Sequence, residues 1–258
     1  MPKDRLVDPS ADRPVVFVTG GSRGIGAATC RALARQGWDV AVGYVLDGAA
    51  AADVVDDCVG IGVEAVAIAV DVSDDDAVSR AFAAVDDIGR LVGLVNNAGL
   101  VAPKARVDEY DADRVRRLFE VNVFGAFACC REAVRRLSTA YGGRGGAIVN
   151  VSSAAARLGS PGEYVDYAAS KAAIDTMTLG LAKEVATEGI RVNAVRPGLI
   201  TTEIHASGGQ PDRVERFREQ IPMRRGGEAT EVAEAIVWLL SDAASYVTGA
   251  ILDVSGGR

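Results

Sequence analysis

The stretch Thr19-Gly20-Gly21-Ser22-Arg23-Gly24-Ile25-Gly26 follows the first apolar run of the chain, Pro14–Thr19, and opens a helical pattern, Gly24–Gln36. Glycine lets a backbone turn tightly and approach a pyrophosphate with no Cβ in the way. A helix that starts from such a turn presents free N–H groups to an anion. The turn therefore predicts a dinucleotide phosphate site, although its glycines, Gly20, Gly24 and Gly26, are spaced more widely than in G-x-G-x-x-G.

Short apolar runs alternate with longer helical patterns through the rest of the chain. The runs predict strands at Pro14–Thr19, Trp38–Tyr44, Val63–Val70, Leu91–Val95, Ala147–Val151, Ile190–Val195 and Ala250–Val254. The longer patterns predict helices at Gly24–Gln36, Ala49–Gly60, Ser73 (as N-cap) to about Asp87, Asp111–Thr139, Tyr164–Thr187 and Glu228–Leu240. This alternation predicts an α/β fold: a doubly wound, Rossmann-type parallel sheet of about seven strands with helices on both faces.

We expect one domain, residues 14–258, preceded by a loose tail, residues 1–13. The one long stretch without a strong pattern, about 201–227, follows the sixth strand. It should therefore lie over the carboxyl edge of the sheet, where ligands bind in such folds.

The composition narrows the possible partners. A formal net charge of −7 on 258 residues argues against nucleic acid. No apolar run reaches the roughly 18 residues of a membrane span, and the N-terminal segment lacks the apolar core of a signal peptide, so we expect a cytoplasmic protein that binds no membrane. With one histidine, His205, and no C-x-x-C among Cys30, Cys58, Cys129 and Cys130, we expect reduced, mostly buried thiols and no metal site.

A second pattern predicts acid/base chemistry. Tyr167 and Lys171 lie four residues apart, on one face of a predicted helix. A tyrosine with its ordinary pKa of about 10 is a poor base near neutral pH, but a nearby cation lowers that pKa. The chain has only four lysines, so a lysine at this spacing is informative. Tyr164 has Ala168 at the same spacing, and we expect it to help wall the substrate site instead.

These motifs, in their order along the chain, resemble the classical short-chain dehydrogenase/reductase family. The glycine turn matches the family's T-G-x-x-x-G-x-G, and the resemblance runs from about Val15 to Gly257. The further motifs are Asp71-Val72, Asn96-Asn97-Ala98-Gly99, Asn122, Ser152-Ser153, Tyr167-Ala168-Ala169-Ser170-Lys171 and Arg196-Pro197-Gly198. The resemblance implies hydride transfer between a nicotinamide cofactor and a carbonyl or alcohol carbon.

The same resemblance implies the site residues. Tyr167 would be the general acid/base, Lys171 would also bond the nicotinamide ribose, and Asn122 would hold a water that relays protons to Lys171. Ser153 would donate to the substrate oxygen because it lies nearer than Ser152 to the family's serine-to-tyrosine spacing, and Ser152 remains the alternative. The cofactor would contact Gly20, Ser22, Arg23, Gly24, Ile25, Gly26, Tyr44, Asp71, Val72, Asn97, Ala98, Gly99, Tyr167, Lys171, Pro197, Gly198, Ile200 and Thr202.

The end of the second strand favours NADP, with NAD as the alternative. NAD sites usually carry Asp or Glu at this point to bind the ribose hydroxyls. Here Tyr44 takes the acidic position, and Asp47 comes three residues later. Arg23 in the glycine turn is placed to meet a 2′-phosphate.

The sequence leaves the substrate open among sugars, small ketones, steroid-like alcohols and 3-oxoacyl thioesters, and His205 could touch it. A non-catalytic dinucleotide-binding redox sensor or regulator of the same fold is the rival hypothesis. Two predicted helices carry more small and apolar residues than one sheet-facing stripe needs, so we also expect a partner subunit. The resemblance implies a homotetramer in which these helices pair with their symmetry mates. The small and apolar residues are Phe124, Ala126, Phe127, Ala128, Ala172, Ala173, Met177 and Leu181, and Ser255–Arg258 would reach a second interface.

Overall fold

A computed structural model of the chain describes residues 13–203 and 208–258, so most of the predicted tail and His205 lie outside the described residues. Seven parallel strands form the main sheet, in the order β3-β2-β1-β4-β5-β6-β9. These strands are β1 (Pro14–Val18), β2 (Asp39–Tyr44), β3 (Ala65–Ala69), β4 (Arg90–Asn96), β5 (Gly146–Val151), β6 (Ile190–Pro197) and β9 (Ile251–Val254). Two short strands, β7 (Ile200–Thr201) and β8 (Gly227–Glu228), pair separately.

The central strands are apolar on both faces because helices cover both sides of the sheet. In β1, Val15 and Phe17 belong to one hydrophobic core, and Val16 and Val18 belong to the other. Side chains of a strand alternate between faces, so this division places one core on each side. The predicted doubly wound α/β sheet is confirmed.

Nine α-helices connect the strands or follow them within the described residues. They are α1 (Gly24–Arg35), α2 (Gly48–Ile61), α3 (Asp75–Asp86), α4 (Ala112–Phe119), α5 (Gly125–Leu137), α6 (Ala155–Leu158), α7 (Val165–Val185), α8 (Arg213–Phe217) and α9 (Ala229–Leu240). One core lies between the sheet and α3, α5 and α7, and the other lies beneath α1, α2 and α9.

Two predicted helix features were wrong in detail. The N-cap of α3 is Asp74, whose carboxylate accepts from the Ala77 amide at 3.0 Å, while Ser73 bonds to Asp71 instead. The helix predicted over Asp111–Thr139 is divided by one π-helical turn, Glu120–Phe124. Such turns add a residue to the helical repeat and often occur at functional sites.

The segment predicted to cover the carboxyl edge has structure of its own in its described part. It contains α8 and a 3₁₀ turn, Arg218–Gln220, and its two ends pair through β7 and β8. At the other end of the chain, Arg13 forms ion pairs with Asp39 at 2.7 Å and Glu64 at 3.1 Å. Arg13 is therefore part of the folded domain rather than of a loose tail.

All four cysteines are free and buried, as the sequence predicted. Burial raises the pKa of every one of these thiols. Among residues 13–203 and 208–258, no group of three or more His, Cys, Asp or Glu side chains is placed to hold a metal ion. No helix in this described part is long and apolar enough to cross a membrane.

Candidate active site

The glycine turn between β1 and α1 is built for close approach. Gly20 and Gly24 have positive φ of 62° and 53°, which favours glycine. A Cβ on Gly26 would lie 2.1 Å from the Gly20 carbonyl oxygen, so only glycine packs there. The first turn of α1 contains no acidic residue, and Arg23 at its N-cap makes no side-chain cap bond. The amides of this helix N-terminus can bind an anion, and the cradle fits the pyrophosphate of a dinucleotide.

The end of β4 holds the glycine turn in place. The Asn97 side-chain amide donates to the carbonyl oxygens of Thr19 at 3.0 Å and Gly20 at 2.8 Å. The hydroxyl of Thr19 in turn accepts from the backbone amides of Asn97 and Ala98, both at 3.0 Å. Asn97 therefore fixes the loop that would carry the phosphates, a structural role that its motif alone did not specify.

A cavity of about 730 Å³ joins this turn to the predicted catalytic residues. Ten of the predicted site residues line it: Ile25, Asn97, Gly99, Ser153, Tyr167, Lys171, Pro197, Gly198, Ile200 and Thr202. Thr202 also lies against the glycine turn, since a Cβ on Gly24 would be 3.3 Å from its methyl carbon. The structure thus brings the loops after β1, β4, β5 and β6 together at the carboxyl edge.

Ser153 and Ser152 point to different partners. The Ser153 side chain hydrogen-bonds to Tyr167, and its oxygen also accepts from the Ala155 amide at 3.1 Å. Ser152 is buried, and its hydroxyl donates to the Lys171 carbonyl oxygen at 3.1 Å. This geometry supports Ser153 as the serine that shares a substrate oxygen with Tyr167, and gives Ser152 a structural role.

The pKa values of Tyr167 and Lys171 move in directions that burial dictates. Burial raises the pKa of Tyr167, and the hydrogen bond from Ser153 opposes that rise. Burial lowers the pKa of Lys171 to about 8, against the opposing charge of Asp175. The Lys171 ammonium lies 5.7 Å from the centre of the Tyr167 ring and donates to the Val151 carbonyl oxygen at 2.8 Å. The lowered tyrosine pKa expected from the sequence is therefore not found in the structure.

Asn122 lies in the π-helical turn and is almost fully buried. Its side-chain oxygen accepts from the Leu100 amide at 2.8 Å, and its nitrogen donates to the Leu100 carbonyl at 2.9 Å and to Ser170 at 3.1 Å. A Cβ on Gly99 would lie 3.3 Å from the Asn122 oxygen and 3.4 Å from the Lys171 nitrogen. Asn122 and Lys171 therefore flank Gly99 without a direct bond.

The residues at the predicted adenosine end of the cofactor site are more dispersed. Asp71 accepts from Ser73 at 2.6 Å and from Arg117 at 3.1 Å, and Val72 is buried in the core. Tyr44 ends β2 and is partly buried, with its ring beside Gly48. Asp47 caps α2 by accepting from the Ala50 amide at 3.0 Å.

Arg23 and Ser22 lie on the glycine turn, where Arg23 is exposed. Tyr44, not an acidic residue, ends β2 in the position that NAD sites use, and Asp47 lies beyond the strand in its capping bond.

Sequence reasoning missed the charged contacts that position α7 and the segment after β7. Asp166, directly before Tyr167, pairs with Arg114 at 2.7 Å while almost fully buried. The segment after β7 is held by Tyr164, whose hydroxyl donates to the Gly208 carbonyl at 3.2 Å and accepts from Gln210. Arg213 pairs with Glu163 at 2.6 Å. The acidic residues beside both tyrosines were the available signal.

A phosphate cradle and a tyrosine–lysine–serine cluster on one cavity define a dinucleotide-dependent oxidoreductase of Rossmann-type fold. The family model described as enoyl-(acyl carrier protein) reductase matches residues 20–258. The chain belongs to the short-chain dehydrogenase/reductase family and is an NAD(P)-dependent enzyme of that family.

Known relatives are similar over nearly their whole length. The chain is 56% identical to an uncharacterized oxidoreductase of Escherichia coli, YgfF, over 95% of this chain and 99% of the relative. It is 41% identical to cis-4-hydroxycyclohexanecarboxylate dehydrogenase of Sinomonas cyclohexanicum, over 94% of this chain and 95% of that protein. A short-chain dehydrogenase from Burkholderia cenocepacia, solved with NADP, has a TM-score of 0.87 at 33% identity and covers 95% of this chain and 97% of its own.

Proposed function

We propose that the protein interconverts a carbonyl compound and a secondary alcohol with NADP(H), using Tyr167 as the general acid/base. The observation that carries the proposal is that Ser153, Tyr167 and Lys171 line one cavity, which also reaches α1. The two hydroxyls can share one substrate oxygen there. The relatives named above are oxidoreductases, and nothing found favours the rival sensor hypothesis.

The nicotinamide, when bound, supplies or accepts the hydride. Ser153 donates a hydrogen bond to the substrate oxygen and so holds it beside Tyr167. In reduction, the Tyr167 hydroxyl gives its proton to the developing alkoxide, and in oxidation the phenolate takes that proton back. Lys171 is buried next to Tyr167, so its charged form stabilises the phenolate electrostatically.

The preference for NADP rests on what lies at the end of β2. Tyr44 stands where NAD enzymes carry a carboxylate, and the Asp47 carboxylate is engaged in capping α2. Arg23 is exposed in the glycine turn. It is therefore available to a 2′-phosphate. The neighbour solved with NADP is consistent with this choice.

The outer faces of α5 and α7 support a homotetramer. Phe124 is 64% exposed and Phe127 is 51% exposed, and Leu179 on α7 is 41% exposed. Of the other residues predicted for this contact, Ala126, Ala128 and Met177 are buried, and Ala172, Ala173 and Leu181 are partly buried. The exposed aromatic pair is the surface that a second copy would cover.

Tyr167→Phe tests the proposed chemistry because it removes only the hydroxyl. We expect kcat for ketone reduction to fall by at least about a hundredfold, the usual size of acid/base catalysis, with little change in the cofactor Kd. Nicotinamide absorbance gives the rate, and protein fluorescence gives the Kd. Tyr141→Phe, at a 70% exposed tyrosine, is the control. Retention of more than about a tenth of wild-type kcat would refute the role of Tyr167.

A further inference from the structure

The substrate side of the cavity carries positive charge that the proposed chemistry does not use. Lys104, Arg213 and Arg258 line the cavity, and Glu163 is the carboxylate among its described lining residues. Lys104 lies 3.8 Å from Glu163, and Arg213 lies 2.6 Å from it. Besides Lys171, the described lining therefore has three cationic side chains and one acidic side chain, in a chain whose net charge is −7.

One N–H donor group of the Arg213 guanidinium has no hydrogen-bond partner among the described residues. The residue is only 9% exposed, and its Nη2 pairs with Glu163. Its Nη1 is shielded from solvent and has no hydrogen-bond partner among the residues that the structure describes. The guanidinium lies 5.0 Å from the Tyr164 ring centre and 5.2 Å from that of Phe217, which hold its plane in place. An unpaired buried donor is costly, and an oxygen of a ligand anion would satisfy it.

Arg258 adds a second cation at the same end of the cavity. Its main-chain oxygen accepts from Arg157 at 2.7 Å and from Ser255 at 2.9 Å, which anchors the residue. Its guanidinium lies 5.8 Å from the Phe217 ring centre and forms no ion pair with the residues described. Burial and then the charge of Arg213 lower the pKa of Arg258, and the charge of Glu163 opposes them, so the two guanidinium groups are near enough to repel each other. An anion between them would relieve that repulsion.

We infer that the substrate is a ketone or secondary alcohol that carries a carboxylate, which Arg213 and Arg258 bind. This inference rests on the proposed function and names the substrate class for the same site. Guanidinium binds carboxylate through paired, charge-assisted hydrogen bonds. A monoanion fits better than a phosphate dianion, because Glu163 already occupies one edge of Arg213 and would repel the second charge.

The competing explanation is that Arg213 only fastens the segment after β7 to the loop before α7. In that case a variant without Arg213 would bind charged and neutral substrates more weakly by the same factor. A carboxylate site would instead lose its preference for charged ligands. Comparing acids with their neutral amides separates the two explanations.

The experiment measures binding by calorimetry to the enzyme saturated with NADP⁺, where a ketone binds without turnover. The ligands are pyruvate, levulinate and oxocyclohexanecarboxylate, each compared with its carboxamide. We expect at least one acid to bind wild type about ten- to a hundredfold more tightly than its amide. Arg213→Met and Arg258→Met should each reduce that ratio toward one, and Arg213→Lys should keep part of it.

Arg218→Met is the matched control, because Arg218 lies outside the cavity lining and pairs with Glu215 at 3.3 Å. It should keep the wild-type ratio. Equal binding of acids and amides to wild type, or an unchanged ratio in Arg213→Met, overturns the inference. If the acids bind through Arg213 but no ketone is reduced with NADPH, the proposed function fails while the carboxylate site stands.

Discussion

Lys171→Met should change how stability depends on pH. In the folded chain burial lowers the pKa of Lys171 from 10.5 to about 8, which corresponds to about 3 kcal/mol against the charged form. Between these two values the unfolded chain holds the proton and the folded chain has lost it. Because the unfolded state then binds more protons, the free energy of unfolding rises with pH through this window. Methionine has no proton to lose, so the variant lacks this contribution.

The size of the difference follows from the same two pKa values. From about pH 7 to about pH 9.5, wild type should gain about 2 kcal/mol relative to Lys171→Met. Urea unfolding at fixed protein concentration measures it, since assembly would otherwise shift the midpoint. At neutral pH the variant also loses the charge-assisted bond from Lys171 to Val151, worth about 2 kcal/mol, which offsets part of its gain from removing a buried charge.

Lys183→Met is the control, because Lys183 lies exposed on the same helix. Its unfolding free energy should follow wild type across the range. If the free energies of unfolding of wild type and Lys171→Met change with pH in parallel, burial does not lower the pKa of Lys171.

Two further predictions concern the cofactor and the assembly. Wild type should bind NADPH more tightly than NADH. Tyr44→Asp should weaken the binding of NADPH by at least about tenfold, because it places a carboxylate near the 2′-phosphate. Fluorescence titration measures both affinities, and a wild-type preference for NADH would contradict the prediction. Sedimentation equilibrium at micromolar concentration should give four times the chain mass of 26.8 kDa, and Phe124→Glu with Phe127→Glu should give smaller species; wild type at the monomer mass alone would exclude the tetramer.

The sheet could be predicted from sequence because its strands are buried on both faces. Runs such as Val15–Val18 leave no position for a polar side chain, so the pattern shows them directly. The helix caps are harder, because Ser73 and Asp74 are both good N-caps and the choice depends on the bond from Ser73 to Asp71. The break at Glu120–Phe124 carries no proline, and its apolar pattern continues across it.

The site was predictable in its motifs but not in its charges. Tyr167 and Lys171 follow from spacing on one helix, but the depth of burial that sets their pKa values is a property of the packed fold. The contact of Arg213 with Glu163 joins residues 50 positions apart, and Arg213 lies in the stretch 201–227, which has no strong pattern in the sequence. Local sequence rules say nothing about such a pair.

Alkylation of the four buried thiols can report the local separation of helices from the sheet. Burial raises the pKa of Cys58 to about 11 and that of Cys130 to about 12. At neutral pH only about one Cys58 side chain in ten thousand is then the thiolate that reacts with alkylating agents. Cys30 and Cys58 lie in one core and Cys129 and Cys130 in the other. The pattern of alkylation therefore distinguishes which side of the sheet has separated from its helices.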